Sequence, residues 1–354
     1  MNNRNDFVIE NGVLKKYKGA GGNIVIPDSV TKIGEWVFDG CENISSIIIP
    51  DSVIAIEEST FSECKGLSSI TLPNSVKEIG ERAFYGCTGL TSITIPDSVA
   101  EIGDHAFSRC TGLAEIIVAG NNPNYHSAGN CLIETESKRL IVGCKTSKIP
   151  ADGSVTEIGD YAFSDCTGLT SIVIPNSVTE IGKLAFFGCA GLTSIAIPDS
   201  VTEIGKCAFS YCTGLTSITI PDSVPKIDKV TFFGCAGLTS IAIPDSVTEI
   251  GRCAFFGCTG LTSITIPNSV TEIGGYAFHG CTGLTSITIP DSVTEIGDSA
   301  FDYCTGLTSI TIPASVTQIA DDTFKDCDKL TIHAPAGSYA ERYAKENDIP
   351  FSAI

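Results

Sequence analysis

Sixteen cysteines are the residues of this 354-residue chain that could most readily do chemistry, as disulfides, zinc ligands or nucleophiles. Twelve of them recur every 23 residues in two runs, and no Cys-x-x-Cys pair occurs. A thiol at one fixed position of a repeat is typical of a buried column of small apolar side chains. We therefore predict a thiol column rather than a zinc site, and so many unpaired thiols favour a reducing or anaerobic environment. The two runs are Cys41, Cys64, Cys87 and Cys110, and then Cys166, Cys189, Cys212, Cys235, Cys258, Cys281, Cys304 and Cys327.

The four histidines could serve as bases or metal ligands, but they occupy unrelated positions far apart in the sequence. No Ser-His-Asp or Cys-His group can be assembled from them, and no glycine-rich phosphate loop is followed by Gly-Lys-Ser or Gly-Lys-Thr. Each is most simply interpreted as a surface or half-buried residue. The sequence predicts no enzyme, no catalytic residue and no cofactor. The histidines are His105, His126, His279 and His333.

The element that positions all these residues is a 23-residue repeat, clearest at residues 284–306, LTSITIPDSVTEIGDSAFDYCTG. We number its columns 1 to 23 from the leucine. Columns 4 and 6 are mostly Ile, column 7 is Pro, and Ile at column 13 and Phe at column 18 each recur twelve times. Alternation of apolar columns 4 and 6 with polar columns 3 and 5 predicts a half-buried strand, which Pro ends because it has no N–H to donate.

Stacking of such turns is required, because no single 23-residue turn can bury its own apolar residues. The predicted fold is an α/β-type, right-handed leucine-rich-repeat solenoid of about 12 to 13 turns, with a parallel β-sheet on one face. The pattern L-x-x-I-x-I-P-x-x-V-x-x-I-G-x-x-A-F-x-x-C resembles the BspA-like leucine-rich repeats of bacterial surface proteins, over residues 24–330. The resemblance implies an adhesin-type interaction module without a catalytic motif, secreted or displayed on the cell surface.

Distinct segments flank and interrupt the repeats, giving five parts of one continuous domain. Residues 1–23 form a cap hairpin with an Asn11-Gly12 turn, and residues 331–354 form a cap whose short helix starts at Ser338. Regular turns occupy residues 24–118 and 154–330. Residues 119–153 hold an irregular turn and a hairpin, interpreted either as a partner-binding protrusion or, as we prefer, as a spacer. Within it Cys131 and Cys144 are the only plausible disulfide pair.

The net charge of −19 disfavours a nucleic-acid partner, because most of the surface would repel a polyanion. No run of about 18 apolar residues exists to insert into a membrane. The first six residues are polar and unlike a signal peptide, which leaves a cytoplasmic location open beside the surface location. Aspartates at column 8 and glutamates at column 12 form acidic columns. They could hold calcium, but each repeat lacks a converging set of oxygens, so we predict no metal site.

Column 15 changes sign along the chain and gives the best local hypothesis for a binding site. Glu and Asp occupy it early in the chain, and four consecutive repeats then carry Lys or Arg, here named the basic column: Lys183, Lys206, Lys229 and Arg252. Column 19 of the same region supplies Phe187, Phe233 and Phe256. Cations flanked by aromatic residues are typical of an interface. Alternatively, the cations only neutralise Glu180, Glu203 and Glu249, with the phenylalanines half-buried.

The exposed strand face is a second candidate surface, made of small side chains at column 5: Val173, Ala196, Thr219, Ala242, Thr265 and Thr288. Such a flat array could receive a protein or a glycan, or it could simply suit a parallel sheet. The predicted function is therefore non-catalytic binding of a protein or glycan ligand by a monomer. The alternative is a structural or consensus-like repeat scaffold with no dedicated ligand.

Overall fold

The structure, a computed structural model, describes residues 4–354. The chain divides into two compact units, one ending at Leu169 and the other beginning at Thr170. Each is built from the same repeat as a parallel β-solenoid. The chain makes about 15 turns, more than the 12 to 13 predicted.

The first unit carries a parallel ladder at columns 3 to 5, here named the front ladder. Its register advances by one repeat per strand, as in Ile47 opposite Ile70. The isoleucines of column 4 point inward and the residues on either side are exposed, which is the alternation expected of a half-buried strand. The strands are Gly22–Val25, Ile44–Ile48, Ser69–Thr71, Ser92–Ile95 and Glu115–Val118.

A second parallel ladder, absent from the sequence-based prediction, runs along columns 12 and 13 and is here named the side ladder. Each strand has two residues, the first usually exposed and the second usually a buried isoleucine. Glu101 and Ile102 lie opposite Glu78 and Ile79. The first-unit strands are Lys32–Ile33, Ala55–Ile56, Glu78–Ile79, Glu101–Ile102 and Glu157–Ile158.

The second unit repeats both ladders with the same register, for example Ile241 opposite Ile264 in front and Ile250 opposite Ile273 at the side. Its front strands are Ser194–Ala196, Ser217–Thr219, Ser240–Ala242, Ser263–Thr265, Ser286–Thr288, Ser309–Thr311, Thr331–Ala334 and Phe351–Ala353. Its side strands are Glu180–Ile181, Glu203–Ile204, Lys226–Ile227, Glu249–Ile250, Glu272–Ile273, Glu295–Ile296 and Gln318–Ile319.

The core of each unit is a stack of identical residues from successive repeats. Column-18 rings lie face to face, with centroids 5.3 Å apart for Phe61 and Phe84 and 5.4 Å for Phe255 and Phe278. The column-21 thiol donates to a carbonyl one repeat earlier, as from Cys235 Sγ to Phe209 O at 3.1 Å. The predicted thiol column is thus observed in both units. Burial raises the pKa of Cys235 to about 12, because a thiolate there would lose its hydration.

Both predicted caps are confirmed. A 3-10 turn (Arg4–Asp6) leads into antiparallel strands Phe7–Glu10 and Val13–Tyr17, joined at Asn11 and Gly12, which both have positive φ as a type I′ turn requires. The C-terminal helix Tyr339–Glu346 begins after Ser338, whose hydroxyl accepts from the Glu341 N–H at 3.2 Å. It is the one α-helix among residues 4–354, so the return segments of the repeats are turns rather than the helices of an α/β solenoid.

The irregular segment forms three antiparallel strands rather than a single hairpin: Tyr125–Ala128, Cys131–Glu134 and Arg139–Val142. The third pairs in parallel with Glu157–Ile158, so the segment feeds the side ladder of the first unit. Cys131 and Cys144 are buried free thiols in this structure. No helix in the described part of the chain has the length and hydropathy of a membrane span.

Candidate functional site

The turn between the side ladder and the phenylalanines of column 18, here named the Phe column, sets the geometry of the candidate site. Column 16 has a left-handed backbone although it is never glycine, as at Leu184 and Val230, with φ of 56° and 64°. In several repeats its N–H donates to the column-15 carbonyl of the next repeat, from Leu184 to Lys206 and from Val230 to Arg252, each at 3.0 Å. Column 15 is therefore held in register by the main chain while its side chains extend into solvent.

The basic column lies on this turn in the second unit, and all four of its side chains are exposed. Within the described residues, Lys206, Lys229 and Arg252 form no ion pair within 4.0 Å, whereas Lys226 pairs with Asp228 at 3.7 Å. The geometry therefore gives no support to the alternative in which Glu203 and Glu249 neutralise these three cations.

Beside the basic column runs a continuous line of rings, here named the aromatic file: Phe187, Tyr211, Phe233, Phe256, His279 and Tyr303. Neighbouring centroids are 5.4, 5.2, 4.6, 4.4 and 6.5 Å apart in that order. The three phenylalanines predicted from sequence are half-buried members of it. Tyr211 and Tyr303 are 46% and 53% exposed.

The file stays unbroken because, in the two of its repeats that have no ring at column 19, a ring stands at column 20 instead. At Ser210 and Asp302 the next residue is a tyrosine, whereas Phe187, Phe233, Phe256 and His279 are each followed by glycine. Tyr211 and Tyr303 adopt φ of 58° and 60°, a conformation that glycine accepts without strain. A Cβ on Gly234 would lie 2.9 Å from the Tyr211 ring, so that glycine makes room for it.

Arg252 connects the basic column to the aromatic file. Its guanidinium lies 4.7 Å from the centroid of the Tyr276 ring, in cation–π geometry. Tyr276 lies 5.8 Å from His279, which stacks on Phe256. We name the basic column, Tyr276 and the aromatic file together the basic–aromatic corner.

Sequence reasoning missed Tyr211, Tyr276, His279 and Tyr303 as members of this surface. His279 is half-buried, as expected, but its position between Phe256 and Tyr303 and its Nδ1 at 3.3 Å from Asp302 Oδ2 were not anticipated. One signal was available. In each of the six repeats, columns 19 and 20 together hold one ring, a rule that is visible only when the two columns are compared as a pair.

The strand-face residues form a separate surface of the second unit, distinct from the corner. All six are exposed, Val173 at 81%. Hydroxyls at column 2 donate to the carbonyl one repeat earlier, as from Thr216 to Thr193 at 3.1 Å. The face is flat and chemically monotonous, and it holds no charged side chain between residues 194 and 288 at columns 3 and 5.

A cavity of about 130 Å³ lies in the first unit where the irregular segment interrupts the repeats. Two of its charged lining residues are paired within the fold, Asp165 with Arg109 at 3.0 Å and Arg139 with Glu157 at 2.8 Å. Burial raises the pKa of the lining thiols Cys110 and Cys166 to about 12, so they are neutral near pH 7 and poor nucleophiles. Within residues 4–354, no three His, Cys, Asp or Glu side chains converge as metal ligands would.

Comparison with known proteins places the chain among bacterial repeat proteins. The family described as the BspA type leucine-rich repeat region matches residues 13–128, 137–259 and 225–339. A leucine-rich repeat protein from Bacteroides ovatus is 33% identical, with 97% of this chain and 87% of that chain covered and a TM-score of 0.67. No curated protein matches in sequence.

Two further solved structures agree with this placement. A leucine-rich cell surface protein from Faecalibacterium prausnitzii is 32% identical, covering 97% of this chain and 94% of its own, with a TM-score of 0.63. A leucine-rich repeat protein from Eubacterium ventriosum is 27% identical, covering 82% of this chain and 88% of its own, with a TM-score of 0.71. Proteins of this kind are generally non-catalytic interaction modules and are typically surface-associated. With its repeats, its two ladders and these similarities, the chain belongs to the BspA-type leucine-rich repeat family.

Proposed function

We propose that this chain is a non-catalytic, adhesin-like module that binds a protein or glycan on a host or microbial surface. The observation that carries the proposal is the basic–aromatic corner, where the exposed Lys206, Lys229 and Arg252 form no ion pair with any described residue and lie beside partly exposed rings. Aromatic residues and arginine are enriched in protein interfaces and supply much of their binding energy. The cell-surface relative in Faecalibacterium prausnitzii supports a surface location for this chain.

A scaffold without a dedicated ligand is the second candidate, and the monotony of the strand face favours it. Columns 3 and 5 repeat Ser and Thr or Ala with little variation between residues 194 and 288. Side chains chosen only to suit a parallel sheet would give the same face. The corner distinguishes the two candidates, because its residues vary from repeat to repeat while the backbone stays the same.

The test is capture of partners from host extracellular-matrix extracts and from extracts of co-resident bacterial surfaces. We expect the wild-type protein to retain a partner in about 150 mM salt, and Lys206→Glu/Lys229→Glu/Arg252→Glu to lose it, because like charges across an interface repel. The matched control is Lys15→Glu/Lys16→Glu/Lys77→Glu, with the same change in net charge on exposed residues of the first unit. A triple corner variant that keeps every partner would refute the proposal and favour the scaffold.

A further inference from the structure

The spacing of the cations in the basic–aromatic corner restricts the shape of its ligand. Successive repeats lie one strand spacing apart, about 4.8 Å, so Lys206, Lys229 and Arg252 span about 10 Å. Main-chain bonds from Leu184 to Lys206 and from Val230 to Arg252 fix the backbone at both ends of this row. An extended polypeptide covers 10 Å in about three residues, so a short linear segment can meet all three cations.

The orientation of the rings restricts the chemistry of that ligand. Phe256 lies between Phe233 and His279, with interplanar angles of 7° and 16°, so both of its faces are covered and its exposed part is the ring edge. The edge is the positive part of an aromatic quadrupole. A base or a sugar stacks on an open ring face, which Phe256 does not offer, whereas a carboxylate favours ring edges beside cations.

The acidic residues around the corner limit how far a negatively charged ligand can extend. Glu203 and Glu249 of the side ladder are exposed and lie three columns before the cations. The whole chain carries a net charge of −19. A long uniform polyanion would therefore meet repulsion beyond the corner, whereas a segment with a few carboxylates among apolar residues would not.

From these three observations we propose that the basic–aromatic corner binds a short, extended acidic polypeptide segment of a partner protein. Its carboxylates lie over Lys206, Lys229 and Arg252, and its apolar side chains pack on the aromatic file. Tyr211 and Tyr303, the most exposed rings, offer hydroxyls to the main chain of the segment. This inference deepens the proposed function and rests on it.

The test selects binders from a phage-displayed library of random dodecapeptides on the full chain, after depletion on Lys206→Gln/Lys229→Gln/Arg252→Gln. We expect the selected peptides to be enriched in Asp and Glu together with aromatic or aliphatic residues. A synthetic copy of a selected peptide should bind the triple variant about tenfold more weakly, from three exposed ion pairs. Replacing its acids by amides should weaken binding to the wild type equally.

Tyr211→Gly and Tyr303→Gly test the rings without disturbing the fold, because glycine stands at the equivalent position in neighbouring repeats. Each should weaken the peptide about fivefold and leave the thermal midpoint unchanged. Lys15→Gln/Lys16→Gln/Lys77→Gln is the control for charge and should bind as the wild type does. Selected peptides without acidic enrichment, or no selected peptides at all, overturn the inference.

Two other occupants give different outcomes that also overturn it. If the corner binds a sulfated polysaccharide, heparin would displace the partner captured from the extract and the acidic peptide would not. A second copy of this chain, whose first unit carries Glu35, Glu58, Glu81 and Asp104 at the same column, would give dimers in sedimentation at low salt that the triple variant abolishes. In either case capture from the extracts still depends on Lys206, Lys229 and Arg252, so the proposed function stands while this inference fails.

Discussion

The same corner of the repeat differs in charge and in ring content between the first unit and the first repeats of the second unit. In the first unit column 15 is acidic, and columns 19 and 20 hold one ring, Tyr85, with the Arg109 guanidinium 5.5 Å from its centroid. In the second unit column 15 carries the basic column in four repeats, followed by Gly275, Asp298 and Asp321, and the neighbouring columns carry the aromatic file. The acidic residues of the first unit are Glu35, Glu58, Glu81, Asp104 and Asp160.

The buried columns, by contrast, are the same in both units. Phe61 and Phe255 are both fully buried, and each stacks on its neighbours at 5.3 to 5.4 Å. A close-packed interior tolerates little change of volume, so the repeat fixes columns 13, 18 and 21. The fold does not restrict the residue types at columns 15, 19 and 20. Substitutions in these columns can therefore create a binding surface without disturbing the solenoid.

The largest effect we expect is loss of stability at alkaline pH, equally in both units. Burial raises the pKa of Cys110 in the first unit and of Cys235 and Cys281 in the second to about 12. These thiols stay protonated in the folded protein while those of the unfolded chain ionise near pH 9. Each therefore contributes stability that is complete below pH 9 and falls by about 1.4 kcal/mol per pH unit above it.

Urea unfolding under reducing conditions at pH 7, 8, 9 and 10 measures this dependence. Cys110→Ala and Cys235→Ala should each lower the slope between pH 9 and 10 by the contribution of one thiol. A free energy of unfolding that stays level to pH 10, or a slope that only one of the two variants reduces, would show that the cores are not equivalent.

Truncation of the Phe column is the next largest effect. Phe61→Ala and Phe255→Ala should each cost about 3–5 kcal/mol, because each leaves a cavity in a stacked core. Native-state hydrogen exchange, which reports local unfolding in repeat proteins, should show the same loss in the two units. Phe256→Ala, at a half-buried ring of the aromatic file, is the control and should cost clearly less. A loss confined to one unit would contradict the equivalence of the buried columns.

The smallest effect concerns the left-handed tyrosines of the second unit. Tyr211→Gly relieves a backbone conformation that costs about 1 kcal/mol in other residues, but it loses ring contacts with Phe187 and Phe233. We expect a change in the free energy of unfolding below about 1 kcal/mol, because these terms oppose each other.

Arg109→Gly at the same column of the first unit should cost more, because it also breaks the ion pair with Asp165. Thermal unfolding of the two variants side by side compares them. A larger loss for Tyr211→Gly would mean that the aromatic file supports the fold rather than a ligand.

The sequence predicted the solenoid, its caps, the front ladder and the thiol column because these follow from the period and from which columns are apolar. The column of a residue within one turn determines whether its side chain is buried, so each of these columns of Ile, Phe or Cys is buried in nearly every repeat that carries it. The side ladder was not predicted because each of its strands has only two residues, usually Glu and Ile. An alternation of two residues is too short to indicate a strand. The third strand of the irregular segment, Tyr125–Ala128, escaped for a similar reason, since it lies outside the period.

The sequence by itself determined the basic column and three of the six rings in the aromatic file. Only the tertiary structure decided that Tyr211, His279 and Tyr303 complete that file and that Tyr276 joins it to Arg252. The physical reason is that the left-handed turn at column 20 places a side chain next to the column-19 ring of an adjacent repeat, as for Tyr211 beside Phe187 and Phe233 and for Tyr303 beside His279. Contacts between rings of neighbouring repeats depend on backbone dihedral angles and on ring stacking. These cannot be inferred from the residue types of a single repeat.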